Sequence, residues 1–208
     1  MKFKSPPTWL SVTVCSILMI TNYASEAATP KALPAAQEEH QGKTLAVIVP
    51  GGGTYSRPIS TDSEQTQMFF DQGLRFAWGF FFPESIASYQ QASLSDPSHP
   101  MPYWGMAHAM GPNPNSRYGR MPDDPKGEGL KAITKAKQLI GRASPIEAQL
   151  INALFVLYDK KSIADDNDRD RAYLAAMRAI NRQYPDDSDV AALYAAAYMS
   201  IARWNYWD

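Results

Sequence analysis

The sequence predicts an all-α fold, a solenoid of antiparallel helical hairpins preceded by an irregular N-terminal arm. Three observations predict it. Apolar residues recur at helical spacing from Ser63 onward, prolines at 83, 97, 145 and 185 punctuate that pattern at hairpin lengths, and small residues flanked by bulky ones return along the chain. Composition agrees: 45% hydrophobic and 12% aromatic residues describe a globular chain rather than a disordered one. With 20 basic and 21 acidic side chains the formal charge is −1, which supplies no basic footprint for nucleic acid, so no nucleic-acid partner is expected.

Residues 1–27 read as a secretory signal peptide. Lys2 and Lys4 form a basic start, Trp9 to Ile20 is apolar but too short to span a bilayer, and Ser25 to Ala27 offers the small residues a signal peptidase reads. The expected location is periplasmic or secreted, with no membrane span after cleavage. Cys15, the one cysteine, lies inside this segment and comes too early for lipoprotein attachment. A mature chain without it has no disulfide and depends on its core for stability.

Residues 28–62 read as a flexible leader and extended arm. Ala28 to Gln41 has neither strand nor helix period, and "LAVIV", Leu45 to Val49, is a short β-branched run ended by Pro50 and three glycines. It either adds a strand or lies extended along the helices, and the arm without a sheet is the preferred reading. "PGGGTYSR" lacks the ending of a phosphate loop and reads as a bend.

Residues 63–208 form the repeat domain. The first hairpin places Met68, Phe69, Gly73, Phe76, Ala77 and Phe80 on one stripe, then Pro83 opens a helix carrying Ile86, Tyr89, Ala92 and Ser93 on one face. A second begins at Tyr103, Met106, Ala107 and Met110. Ser144, Pro145 and Glu147 make a capping box for the next helix, with Ala153 as its small contact. Asp168 to Gln183 follows, and Asp187 or Ser188 caps a last helix with Ala191, Tyr194, Ala195 and Tyr198. Small residues let helices approach closely while aromatics fill the space around the contact.

The order Phe69, Gly73, Phe76, then Tyr89, Ala92, Pro97 has the spacing of the tetratricopeptide pattern, apart from Gln72 where leucine is usual and Ser85 where alanine is usual. "FFDQGLRFAWGFFFPESIASYQQASLSDP", "YWGMAHAMGPNPN" and the blocks after Asp168 resemble a family of exported bacterial tetratricopeptide-repeat proteins, over roughly residues 60 to 208. The resemblance implies fold and export, not a reaction. Members of that family continue into further repeats carrying several histidines, so the resemblance also implies an array incomplete at its C-terminus.

Chemistry is sparse. Gly111 to Asp124 joins the two helices of the second hairpin, and Asn113, Asn115, Arg117, Tyr118 and Arg120 would present amide, guanidinium and phenol donors to a carboxylate, a phosphate or a peptide backbone. The plain alternative is that these residues only build turns. "DDNDRD" begins like a calcium loop, but Arg171 replaces the required glycine and Met177 the bidentate glutamate, so it reads as an acidic helix start. His40, His99 and His108 lack the partners of a zinc site, no cofactor is expected, and no catalytic residue has a local signature. Trp204, Tyr206 and Trp207 end the chain on aromatics, which suits either a missing covering helix or self-association through that end. The functional expectation is a binding or scaffold module for a protein segment or small polar ligand. The alternative is the N-terminal fragment of a longer enzyme or metal-binding protein whose active residues lie in later repeats.

Overall fold

The computed structural model describes residues 44–111 and 122–202. Seven α-helices occur among them: α1 (Glu64–Trp78), α2 (Phe82–Ser95), α3 (Met101–Met110), α4 (Pro125–Gln138), α5 (Pro145–Tyr158), α6 (Asp166–Gln183) and α7 (Ser188–Ala202), with a short 3-10 turn at Ile140–Arg142. Each helix packs on the next, and α1 also meets α3 while α3 meets α5. This is the arrangement expected of stacked hairpins: α1, α3 and α5 lie side by side, and all described elements after the arm are helical.

Local chemistry sets most boundaries. Ser63 accepts a hydrogen bond from the Thr66 N–H, Asp124 from Gly127, and Asp165 from Asp168, each satisfying a donor that the first helical turn leaves open. The Ser144–Glu147 capping box is formed, with the Ser144 N–H 2.7 Å from Glu147 Oε2. Asp187, rather than Ser188, caps α7 by accepting the Val190 N–H at 3.0 Å. The acidic run that opens α6 serves its helix start, and Arg169 turns back to donate to the carbonyls of Leu157, Ile163 and Ala164, fastening the α5–α6 connection.

The close contacts are built around tyrosine rings. Tyr89 of α2 is fully buried between two glycines: a Cβ on Gly73 of α1 would lie 2.7 Å from Tyr89 Cε1, and one on Gly105 of α3 would lie 2.5 Å from the same atom. Tyr158 of α5 repeats the device. Its hydroxyl donates to the Ala107 carbonyl at 2.5 Å and its ring lies against Gly129 of α4. Trp104 ties the same layers together, donating from Nε1 to the Leu150 carbonyl at 3.2 Å. Both departures from the repeat pattern have a use. Ser85 Oγ donates to the Gly73 carbonyl at 2.7 Å where the two helices touch, and Gln72 holds the arm.

Two expectations need correction. Phe80 does not continue the α1 stripe; it follows the helix in a left-handed conformation (φ 62°) and is 59% exposed. The hydrogen bonds Phe80 N–H to Ala77 O and Phe81 N–H to Phe76 O are those of a Schellman ending, which needs a left-handed residue where the sequence supplies phenylalanine rather than glycine. Second, Ala195 is exposed, and α7 meets its neighbour through Val190, Leu193 and Ala197. Gly73, Ala107 and Ala153 are buried, whereas no described helix follows α7 and its Ala195 and Tyr198 are exposed.

Candidate functional site

The described part of the arm, residues 44–62, runs along the helices and forms no strand. Gly51 and Gly53 take positive φ angles of 83° and 84°, which lets the chain double back between residues 44–49 and 54–61. These two halves bind different surfaces.

The second half crosses α1, α5 and α7, and its backbone is read residue by residue. The Arg57 N–H donates to Asp71 Oδ1 at 3.0 Å, and the Arg57 carbonyl accepts from Gln67 Nε2 at 2.8 Å. Pro58 has no N–H to satisfy. The Ile59 N–H donates to Gln67 Oε1 at 2.9 Å, and the Ser60 N–H to Glu147 Oε1 at 2.8 Å. Ile59 itself joins the core. Gln67 and Asp71 are one helical turn apart and bonded to each other at 2.9 Å, so α1 presents them as a single clamp.

Arg57 anchors this segment. Its Nη1 lies 2.8 Å from Asp187 and 3.0 Å from Asp189, both at the start of α7, while Tyr55 donates to Asp189 at 2.7 Å and Trp78 Nε1 reaches it at 3.3 Å. Burial by itself would raise Asp187, but the hydrogen bonds and charge of Arg57 and the Val190 N–H hold its carboxyl below the usual range. Asp71 is shifted the other way, raised by burial against the hydrogen bonds it accepts.

At the end of the arm Ser60 meets His99 and Glu147, a serine, histidine and carboxylate 39 and 87 residues apart. The geometry is not that of an activated nucleophile. The Met101 N–H donates to His99 Nδ1 at 3.3 Å, which leaves the proton on Nε2, 3.2 Å from Ser60 Oγ; the imidazole donates to the hydroxyl, and the hydroxyl donates to Glu147. Burial holds His99 below the ordinary imidazole range, against the pull of Glu147 and Asp96. All three groups are spent on holding the arm. The sequence contained a hint only in Glu147, whose capping role leaves one more oxygen to accept.

His108 lies apart from this cluster, on α3. Its ring stacks on Trp104 with centroids 5.3 Å apart and meets the edge of Trp78 at 6.1 Å, and Nδ1 is buried without a partner. Burial pushes its pKa down to about 4. The folded chain therefore binds this proton less readily than the unfolded chain, so stability is full above about pH 6.5 and is lost as pH falls toward 4. Denaturant melts should show His108 contributing about 2–3 kcal/mol of loss between pH 7 and 4, and His108→Phe should flatten that part of the profile.

A cavity of about 700 Å³ opens between α4, α5 and the α5–α6 connection. Leu130, Phe155 and Leu157 supply apolar wall, and Lys126, Lys160 and Asp159 stand among the charged groups around it. Asp124, at the end of the 111–124 connection, also lines it. The candidate ligand residues Asn113, Asn115, Arg117, Tyr118 and Arg120, and the candidate interface residues Trp204, Tyr206 and Trp207, lie outside the described residues. Among the described residues no group of three or more His, Cys, Asp or Glu could hold a metal ion, and no helix is long and apolar enough to cross a membrane.

The fold and this face together define an all-α, solenoid-like stack of helices that holds an extended segment by side-chain to backbone bonds. No known family model matches the chain, and no curated protein matches it.

Proposed function

We propose that this chain is an exported binding module of the tetratricopeptide type, whose alternate-helix layer recognises an extended protein segment. The observation that supports this reading is the binding of residues 57–60, where every backbone N–H from Arg57 to Ser60 that exists is bonded to a helix side chain. Such bonds recognise an extended chain of any origin, while the acidic pair Asp187 and Asp189 selects an arginine. Export rests on the first 27 residues. The cavity beside α4 favours a second reading, a small polar ligand carrying both charges, since cationic and acidic side chains share its rim with an apolar wall.

The test uses a labelled peptide of residues 54–62, TYSRPISTD, offered to the full chain and to an Arg57→Ala, Ile59→Ala variant. A tethered arm competes at an effective concentration of about millimolar, so the variant should bind the peptide at least about tenfold more tightly than the parent. The same peptide with alanine for arginine should bind weakly to both. Absence of peptide binding by a variant that keeps its helical circular dichroism would remove the peptide-recognition reading.

A further inference from the structure

The first half of the arm carries an interaction that the peptide-binding face does not use. Leu45 N–H donates to Gln91 Oε1 at 2.8 Å, Val49 N–H to Gln72 Oε1 at 2.8 Å, and Gln72 Nε2 donates to the Val47 carbonyl at 2.9 Å. Bonded residues therefore alternate. In an extended chain the backbone groups of the intervening residues point to the opposite edge, and Ala46 and Ile48 make no hydrogen bond among the described residues. One edge of the segment is fastened to α1 and α2 by glutamine side chains, and the backbone groups of Ala46 and Ile48 on the other edge are unpaired.

Open edges are normally protected by charge, proline or a bulge. This one has no charged residue from Thr44 to Ser56, and Val47 is 67% exposed with Val49 beside it also exposed. Pro50 closes off its C-terminal end.

We propose that this edge is a self-association surface on which residues 44–49 of a second copy add as an antiparallel strand, paired about Val47. The segment complements itself. A two-fold axis at Val47 sets Ala46 opposite Ile48 of the second copy and the reverse, so both pairs exchange their free N–H and C=O groups in four hydrogen bonds. Val47 then faces its own copy in the closer, non-hydrogen-bonded position, and Leu45 of the second copy stands opposite Val49. Val49 borders a hollow of about 200 Å³ with Phe76 and the exposed Phe81, which gives that leucine an apolar recess. Each copy has one such edge, and once paired it offers no further edge, so the assembly closes as a dimer rather than growing into a fibre.

Charge at the self-opposed position tests this directly. Sedimentation velocity of the full chain over a roughly hundredfold range of micromolar concentration should show a dimer that dissociates on dilution. Val47→Lys and Val47→Glu each place like charges opposite one another, and each should weaken the dimer by at least about tenfold. Mixing the two in equal amounts should restore it. In a Cys15→Ser background, Val47→Cys should form a disulfide-linked dimer, because facing residues at a non-hydrogen-bonded position lie about 4.5 Å apart between Cα atoms, whereas Leu94→Cys on the outer surface should not. A chain that stays monomeric throughout, a Val47→Lys variant that dimerises like the parent, or a mixture that fails to recover would overturn the proposal. These results are independent of whether the peptide face binds TYSRPISTD.

Discussion

Tyr89→Ala lowers the stability of the chain by about 3–5 kcal/mol, the range for removing a large buried ring, and does so at a place where the fold cannot relax. The ring is fully buried and packed on both Gly73 and Gly105, and no Cβ exists at either glycine to follow it into the void. Three helices lose their common contact at once, since α1 and α3 each meet α2 around this ring. Collapse would require the helices themselves to move, which the Ser85 bond to the Gly73 carbonyl and the Trp104 bond to Leu150 resist. Thermal unfolding followed by circular dichroism should show the midpoint falling by about 10 °C, as a chain of this size shifts a few degrees per kcal/mol. Phe80→Ala, at an exposed aromatic nine residues earlier, should change it by less than a quarter of that. Equal effects at the two positions would mean that the ring at 89 is not the keystone of the hairpin stack.

Arg57→Ala is the second large effect. It strands Asp187 and the buried Asp189 at the start of α7 without their cation, a change that costs about 3–5 kcal/mol for a buried pair. Partial exposure of Asp187 places the expected loss at the lower end, about 3 kcal/mol. The ends of the molecule should respond together: protease sensitivity should rise both in the arm around Tyr55 and near Ser188. The pH profile separates charge from packing. Asp187 is held below its unfolded value, so its contribution is present above about pH 4 and disappears as pH falls through the folded value. Removing the arginine should therefore cost most near neutral pH, and parent and variant should converge in acid. Adding Asp187→Asn and Asp189→Asn to Arg57→Ala should recover part of the loss at pH 7, because no uncompensated buried charge remains.

The legible and illegible parts of this molecule divide by distance along the chain. Ser63, Ser144 with Glu147, and Asp187 announce the starts of their helices because a cap acts on N–H groups two or three residues away, whereas α4, capped by Asp124, is not among the helices the sequence reading names. The proline punctuation and the small-to-bulky pattern likewise predict consecutive packed helices, and Gly73, Ala107 and Ala153 are buried as that pattern requires. Gln72 and Ser85 were readable only as departures from a repeat pattern. Their purpose depends on what the fold sets against them, a carbonyl of the neighbouring helix for Ser85 and the arm for Gln72. His99 stood in a turn with no visible partner, and Ser60 in an arm with no period, until packing joined them through Glu147.

The amino-acid order by itself determined that the chain from Ser63 is built of helical hairpins, where several helices start and stop, and that Gly73, Ala107 and Ala153 are buried contacts, since hydrogen bonds and side-chain periodicity within about four residues settle these matters. Only the tertiary structure decided that the arm crosses the helices and that Arg57 meets acids 130 and 132 residues later. That meeting depends on the crossing angle of every intervening helix pair, and small differences in those angles accumulate over seven helices into displacements much larger than a hydrogen bond.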